Sequence, residues 1–480
     1  MKTILKAEIE EIFDDENNYA IDNLRLLEVL SELGYKVCIN DDPHLKNSLV
    51  RVTQEGKLVE PVTPRKIGVD FVNLLKELPI DGKFITKTMK GASHYFNEVQ
   101  LGFLPQVTFD FLKDTKDTGY FLFKNSIVIV TAERIEFTDY NTVDKPILIS
   151  SIKDQNIVEI KDYQKNDFYD FCRKITGNND KWFESLQSNI GYLMLNNNDA
   201  RENKAVIAYD TKMGDRHTAN GGSGKSIIFR QALEEVRNVL VFNGKQFHHR
   251  NSMQFLFQSV DKSTNVIFID DVDDKFDFEL IYSALTEGFE IEKKNRNPIY
   301  LKREDCPKFV ISANSPVKMK EGASSERRKT ELYVNNFFDH LETPLDYYGK
   351  FFFDDWDKFE YGAFYMFMFE CLQTYLRKGL IKYIPEQVKS SKIRAEITSE
   401  VYEFFEDLIG DLEESTPYDK KDFHDLIISE LGNISPKKVT MDLNKYCKFK
   451  GYGFEVQNSG GVQTYQISIK HDIVEGGRDE

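Results

Sequence analysis

Three short, mostly apolar runs occupy the middle of the chain, and polar side chains follow each of them. The runs cover residues 204–209, 265–269 and 308–313. Runs of this length and composition predict strands that are buried on both faces, as in a parallel sheet. Apolar residues at helical spacing follow the first run, at 227–233. The pattern therefore predicts an α/β core.

The chain before this core has a more mixed pattern. Within residues 1–115, helical spacing at 23–30 and a hairpin-like pattern at 49–59 predict an α+β region. A β-rich patch follows at 119–130. Apolar positions at helical spacing then run from 167 to 196 and predict helical structure directly before the core.

The chain after the core changes character twice. A Tyr- and Phe-rich stretch at 351–380 predicts a helical extension, and the polar segment 387–392 predicts a linker. A small domain follows, with helices predicted at 418–428 and 436–446 and a Gly-tipped hairpin at 453–467.

Helix, turn, helix and hairpin together predict a winged-helix-like domain at the end of the chain. Ser435 and Pro436 have the residue types of an N-cap and a first-turn proline. In a DNA-binding domain of this layout the second helix contacts DNA, and here it carries Lys437, Lys438, Thr440, Asn444 and Lys445. Winged helices also dock proteins, and the sequence leaves both roles open.

These patterns divide the chain into six parts, which are 1–115 (α+β), 116–200 (β patch and helices), 201–340 (α/β core), 341–390 (helical extension), 391–472 (winged-helix-like) and 473–480 (polar tail).

Composition narrows the class of protein. Of the 480 residues, 41% are hydrophobic and 30% are charged, which is typical of a globular protein. We find no apolar run long enough for a membrane span and no secretory signal, so we expect a cytoplasmic protein without a membrane partner. Five scattered cysteines and eight histidines show no ligand spacing, which argues against structural zinc.

The most specific motif lies between the first apolar run and the helix after it. A strand, a glycine-rich loop and a helix form the usual phosphate-binding arrangement, because loop N–H groups and the helix dipole both favour an anion. We expect Lys225 to bind the β- and γ-phosphates of ATP and Ser226 to bind Mg²⁺. The candidate nucleotide-binding residues are Ala219, Asn220, Gly221, Gly222, Ser223, Gly224, Lys225, Ser226 and Ile227. The usual loop begins with glycine, so Ala219 departs from the pattern.

The other two apolar runs end in side chains suited to ATP hydrolysis. Asp270 and Asp271 follow the second run, and Asn314 follows the third. We expect Asp270 to bind Mg²⁺ and Asp271 to orient or deprotonate the attacking water. The Asn314 amide is suited to contact both the γ-phosphate and that water.

Basic residues mark two further candidate sites. The segment 289–302 alternates on both arms and predicts a hairpin, whose tip carries Lys293, Lys294 and Arg296. Such a cluster suits contacts with DNA phosphates. Arg327 and Arg328 follow the Asn314 strand, and either suits an arginine finger that reaches a neighbouring subunit.

In this order, the motifs between residues 219 and 328 resemble those of superfamily 3 helicases, in particular the phage, plasmid and poxvirus-type primase–helicase branch. The resemblance is strong over 205–330 and weaker upstream, where 123–125 and 188–193 carry it. It implies an AAA+-type P-loop ATPase core, a hexameric ring, and ATP-driven 3′→5′ unwinding of forked or single-stranded DNA. If the protein is encoded by a phage or plasmid, it would work in the cytoplasm of a bacterial host. Partner proteins would include a separate primase, polymerase or initiator.

Two observations qualify this expectation. Residues 1–160 contain no Asp-x-Asp pair, so we expect no priming activity. The net charge of −16 requires any DNA-binding cations to be concentrated, for example in the lumen of a ring. Two alternatives stay open, which are an AAA+ switch that assembles a protein complex and an origin-recognition protein with an inactive nucleotide site.

Overall fold

The computed structural model describes residues 9–14, 20–40, 45–53, 56–199, 202–212, 223–248, 255–273, 276–295, 297–317, 327–410, 416–432, 434–459 and 461–469. The chain forms a mixed α/β protein with several separate sheets.

A five-stranded parallel sheet forms the centre of the molecule. Its strands, in chain order, are β1 (Ala205–Asp210), β2 (Val239–Asn243), β3 (Val266–Val272), β4 (Lys308–Ala313) and β5 (Lys329–Val334). Their order across the sheet is β2-β3-β4-β1-β5. Strand β4 therefore separates β1 from β3, and the carboxyl ends of all three lie side by side.

The three apolar runs of the sequence are the three central strands of this sheet. Every residue of β1 and β4 is buried, as are the first four residues of β3. Burial of each large apolar side chain contributes about 1.5–3 kcal/mol. Strand β2 at one edge is only partly buried.

The connections between these strands carry the other core elements. A helical segment at 225–234, which includes a π-helical stretch at Ile227–Ala232, joins β1 to β2. The link from β3 to β4 contains the short helix Tyr282–Thr286 and an antiparallel hairpin of Gly288–Ile291 with Ile299–Lys302.

Three helices cover one face of the sheet, namely Asp167–Lys174, Asp180–Met194 and Lys358–Lys378. A continuous helical pattern from 167 to 196 does not correspond to one helix, because Gly177 and Asn178 have φ values of 58° and 55°. This left-handed conformation ends a right-handed helix.

The helical extension also differs from its predicted bounds. The helix begins at Lys358 behind a capping box of Asp357 and Glu360, and it ends before Gly379. The predicted linker at 387–392 is wrong, because Glu386–Ile397 is a helix. Its apolar residues Val388, Ile393 and Ile397 are widely spaced, but all are buried.

The N-terminal region combines two layers. Its helices are Asn23–Glu32, Pro64–Glu77, Gly82–Lys90, Ala92–Tyr95 and Glu98–Leu101. Its strands are Phe13–Asp14, Ala20–Ile21, Tyr35–Cys38, Ser48–Thr53, Leu58–Pro61 and Gln106–Val107. The first two strands pair with each other, and the other four form a five-stranded sheet with Ile147–Leu148, which pairs with Leu58–Pro61. The five-stranded sheet therefore includes residues beyond 115. A separate antiparallel sheet contains Gly119–Phe123, Ser126–Val130 and Ile135–Thr138.

The C-terminal domain has the elements that its sequence predicts, with longer hairpin arms. Its helices are Ser399–Ile409, Lys420–Leu431 and Pro436–Lys450, and its strands are Thr416–Asp419, Tyr452–Ser459 and Val462–Ile469. The Ser435 hydroxyl caps the last helix by accepting from the Lys438 N–H at 3.4 Å. The predicted tail at 473–480 lies outside the described residues.

A buried ion pair ties the segment before the β patch to the core. Arg237 Nη2 donates to Asp114 Oδ2 at 2.6 Å, and both side chains are almost fully buried. Arg237 also donates to the carbonyl oxygens of Met194 and Tyr120 at 2.6 and 3.1 Å. Burial lowers the pKa of Arg237, although the nearby Asp114 charge opposes this effect.

We expect Asp114→Ala to lower the free energy of unfolding by about 3–5 kcal/mol, because it leaves a buried guanidinium without its counter-ion. Asp117→Ala is the matched control, since Asp117 is 76% exposed and its ion pair is with the exposed Lys116. Denaturant titration measures both. Equal, small effects of the two substitutions would contradict a stabilising role for the Asp114 pair.

Lys308 is a second buried cation, located at the start of β4. Its ammonium donates to the Tyr192 carbonyl oxygen at 2.6 Å and lies 3.9 Å from the centre of the Tyr192 ring. Burial lowers the pKa of Lys308 to about 7. Between this value and the ordinary pKa of lysine, the unfolded chain binds more protons than the folded chain, so stability rises with pH in that window.

Lys308→Met removes this titration and keeps an apolar stem of similar length. Between pH 7 and pH 9 we expect the unfolding free energy of the wild type to rise relative to that of Lys308→Met by about 1–2 kcal/mol. Chemical denaturation at both pH values tests this. Parallel pH profiles for the two proteins would show that Lys308 does not titrate in this range.

Candidate functional site

Side chains predicted from separate motifs meet at the carboxyl edge of the central sheet. The Lys225 ammonium donates to Asp210 Oδ2 at the end of β1. It also lies 3.4 Å from Asn314 Oδ1, directly after β4. Because β1 and β4 are adjacent and parallel, a lysine placed at this edge reaches both strand ends.

Asn314 extends this set of contacts toward β3. Its Nδ2 donates to Asp271 Oδ1 at 3.2 Å, and Asp271 Oδ2 accepts from Lys245 Nζ at 2.9 Å. The hydrogen bond to Asp271 is the main cause that raises the pKa of Lys245. The result is a continuous chain of five side chains, hereafter the edge chain, which runs Asp210–Lys225–Asn314–Asp271–Lys245.

Asp270 is held beside the edge chain by the strand next to it. The buried Ser312 hydroxyl of β4 donates to Asp270 Oδ1 at 2.6 Å and accepts from the Asp271 N–H at 2.8 Å. The β3–β4 register is irregular between Ile269 and Val272, and Asp271 has φ 56°. A left-handed conformation costs a non-glycine residue energy and frequently marks a functional site.

The phosphate-loop prediction falls only partly on described residues. Ala219, Asn220, Gly221 and Gly222 lie outside them. Ser223 is buried, and Ser226 is exposed in the first turn of the helical segment. Ile227 begins the π-helical stretch.

Gly224 has a clear steric reason to be glycine. Its φ is +92°, and a Cβ atom there would lie 2.5 Å from the Phe171 ring. The helix Asp167–Lys174 therefore packs directly against the end of the loop that precedes Lys225. A larger residue would strain the backbone and displace this aromatic ring.

The residues expected to bind Mg²⁺ have the right donor chemistry. Asp270 and Ser226 offer carboxylate and hydroxyl oxygens, which are hard ligands that Mg²⁺ prefers. Within the described ranges, no cluster of three or more His, Cys, Asp or Glu side chains is arranged to hold a metal ion.

Arg327 and Arg328 lie at the opposite edge of the sheet from Lys225. The Arg328 carbonyl oxygen accepts from the Ala205 N–H at the start of β1, whereas Lys225 contacts Asp210 at its end. The five steps between Ala205 and Asp210 span about 17 Å at the usual rise of a strand. Neither arginine therefore belongs to the edge chain of its own protomer.

The two arginines differ in their surroundings. The Arg328 guanidinium is half-buried and lies 4.7 Å from the centre of the Tyr282 ring. Arg327 is exposed. A finger that enters a neighbouring subunit must be accessible, so this difference favours Arg327.

The predicted basic hairpin is present, with Lys294 exposed and Lys293 half-buried at its tip. Arg296 lies outside the described residues. The base of the hairpin is anchored in the core, because Phe289 packs against Phe257 and Phe309 with ring centres 5.0 and 6.2 Å apart.

The last helix of the C-terminal domain exposes Lys437, Lys438 and Asn444. Lys445 is half-buried and pairs with Glu396 at 3.4 Å, so it is less available to DNA. Lys448 was not predicted, although it is exposed eleven positions after Lys437, a spacing that keeps both on one helical face.

A groove of about 700 Å³ lies away from this chemistry, in the N-terminal region. Its floor is apolar and includes Val69, Val72 and Phe96, with Arg65 and Lys76 also in its lining. Nothing in its lining connects it with the edge chain.

Comparisons with known proteins add little. No protein-family profile and no curated protein matches the chain. The chain is similar to an A-form apo structure of the NrS-1 C-terminal region, at 11% identity and TM-score 0.37, over 94% of this chain and 100% of that one. A second A-form apo structure, of NrS-1 C-terminal residues 305–718, gives 12% identity and TM-score 0.29, over 73% and 96%. Similarity this low assigns neither fold family nor function.

Among the described helices, none is long and apolar enough to cross a bilayer.

Proposed function

We propose that the protein is an ATP-dependent replicative DNA helicase of a phage, plasmid or other mobile element. In this proposal an AAA+-type P-loop core works as a homo-hexameric ring on single-stranded or forked DNA. The observation that carries the proposal is the meeting of Lys225, Asn314 and Asp271 at one sheet edge. Three motifs far apart in sequence supply the cation, the amide and the carboxylate that ATP hydrolysis requires.

Each side chain has a role that follows from its chemistry. Lys225 would bind the β- and γ-phosphates, and Ser226 with Asp270 would hold Mg²⁺, which would supply positive charge to neutralise the phosphates. Asp271 accepts a proton from the attacking water or orients it. The Asn314 amide contacts both Lys225 and Asp271, which supports a role for this amide in fixing the water relative to the phosphate.

The distant position of the arginines supports an active site shared between protomers. An arginine about 17 Å away along the sheet reaches the edge chain only from a neighbouring copy. We assign this role to Arg327, because Arg328 is packed against Tyr282 in its own protomer. A closed ring would then give every ATP site one arginine from the next protomer.

The hairpin would couple this chemistry to DNA. In the sequence, its two strands come after β3, which carries Asp270 and Asp271, and before β4, which leads to Asn314. Six hairpins in the lumen of a ring would place Lys293 and Lys294 along the phosphates of one strand. The remaining surface can stay acidic, which reconciles DNA binding with the net charge of −16.

The C-terminal domain would provide a second contact. Helix Pro436–Lys450 exposes Lys437, Lys438 and Lys448 on a domain with winged-helix order of elements. We propose that this helix binds duplex DNA near the fork, where phosphate contacts would position the ring.

Substitution of Lys293 and Lys294 by Ala tests the helicase proposal. We expect DNA-stimulated phosphate release and forked-strand separation to be lost, while basal hydrolysis stays, because the hairpin contacts DNA and not ATP. The matched control is Lys302→Ala, an exposed lysine in the second hairpin strand and away from the tip. If the protein is instead an AAA+ switch, the wild type itself should hydrolyse ATP without separating the strands of forked DNA.

Arginine substitutions test the shared active site. We expect Arg327→Ala to lower kcat by about 10³-fold or more without a large change in ATP affinity, because the finger acts on the transferring phosphoryl group. Arg328→Ala should chiefly lower the melting temperature. Mixing Arg327→Ala with Lys225→Ala protein should restore some activity, since each inactive protomer then supplies the intact half of a site. The opposite ranking of the two arginines would contradict the assignment.

A further inference from the structure

The Lys225–Asp210 contact is an ion pair within the proposed nucleotide site. Asp210 is the last residue of β1, and the motif lysine reaches back fifteen positions to contact its Oδ2. The side chains are only 11% and 12% exposed. The pair is therefore largely shielded from solvent and from screening by salt.

The second oxygen of the same carboxylate is also buried. Asp210 Oδ1 has no hydrogen-bond partner among the described residues, and the residue is only 8% exposed. Lys225 is thus the one described cation that neutralises this carboxylate. A buried carboxylate that depends on one ammonium holds that ammonium firmly.

We propose that Asp210 sets the nucleotide affinity of this site by competing with the terminal phosphates for Lys225. The inference rests on the proposed function, since it takes Lys225 as the phosphate-binding lysine. Asp210 occupies on the ammonium a position that a phosphate oxygen would take.

Charge distinguishes Asp210 from Asn314, the other described partner of Lys225. The Asn314 amide is neutral, so it can keep its contact while a phosphate binds. The Asp210 carboxylate is an anion, and an anionic phosphate at the same ammonium would be repelled by it. ATP must therefore either displace Asp210 from Lys225 or bind close to an uncompensated negative charge.

With these contacts, the edge chain carries its own counter-ions. At its other end, Asp271 is paired with Lys245, so both carboxylates of the edge chain have an internal cation. The Lys245–Asp271 pair is far more exposed than the Lys225–Asp210 pair, at 64% and 49%. The competition should accordingly be strongest at Asp210.

The test is titration of the purified full-length protein with Mg²⁺ and a fluorescent, non-hydrolysable ATP analogue. We expect Asp210→Asn to bind the analogue about tenfold more tightly than the wild type, a difference of about 1.4 kcal/mol. The substitution keeps the shape of the side chain and removes only its charge. Asp210→Glu, which keeps the charge, should not show this gain.

Asp273→Asn is the matched control, because it removes one negative charge two residues after Asp271, from a residue that is not part of the edge chain. It should leave the dissociation constant within about twofold of the wild type. Asp210→Ser replaces the asparagine variant if the latter melts below the assay temperature. If Asp210 has only a structural role, Asp210→Asn and Asp210→Ser should both bind the analogue more weakly than the wild type or equally well. Either result would overturn the proposal.

Lys225→Ala separates this proposal from the one it rests on. If the wild type binds the analogue and Lys225→Ala does not, the nucleotide site stands, and the Asp210 variants decide the competition. If the wild type and Lys225→Ala both fail to bind, the proposed function itself is wrong.

Discussion

The proposed active site depends on the position of β4 between β1 and β3. Because all three strands are parallel, this order brings the end of β1, the start of the Lys225 helix and the end of β3 to one edge. Asn314 then bridges Lys225 and Asp271 through a single amide. A further strand inserted between β1 and β3 would move the cation away from the carboxylate by one more strand spacing, about 4.8 Å.

The sequence was informative wherever a pattern is local. Apolar runs predicted β1, β3 and β4, and the residue types after them predicted Lys225, Asp271 and Asn314 as one group. The sequence did not reveal Asp210 or Lys245, because no local pattern shows that Asp210 contacts the helical segment after its own strand or that Lys245 contacts the end of β3. The helix at Glu386–Ile397 was missed for a related reason, since its few apolar residues are buried by segments distant in sequence.

The placement of charge links the core to its proposed assembly. The carboxyl edge of the sheet holds the edge chain, in which each carboxylate has its own cation, whereas Arg327 lies at the amino edge of the same sheet. If Arg327 is the finger, as proposed, a single protomer would lack it at its own edge chain and would need a neighbouring copy to supply it. In the proposed ring, the exposed hairpin tip and the last helix of the C-terminal domain would supply the concentrated cations that an acidic chain needs to hold DNA.

The most direct test of the central claim is phosphate release by Asp271→Asn in the presence of Mg²⁺, ATP and a forked oligonucleotide. Asparagine keeps the size of the side chain but removes the proton acceptor. We expect nucleotide binding to remain while turnover falls by about 10²-fold or more, as for loss of a general base. Turnover equal to that of the wild type would contradict the assignment of this sheet edge as the site of ATP hydrolysis.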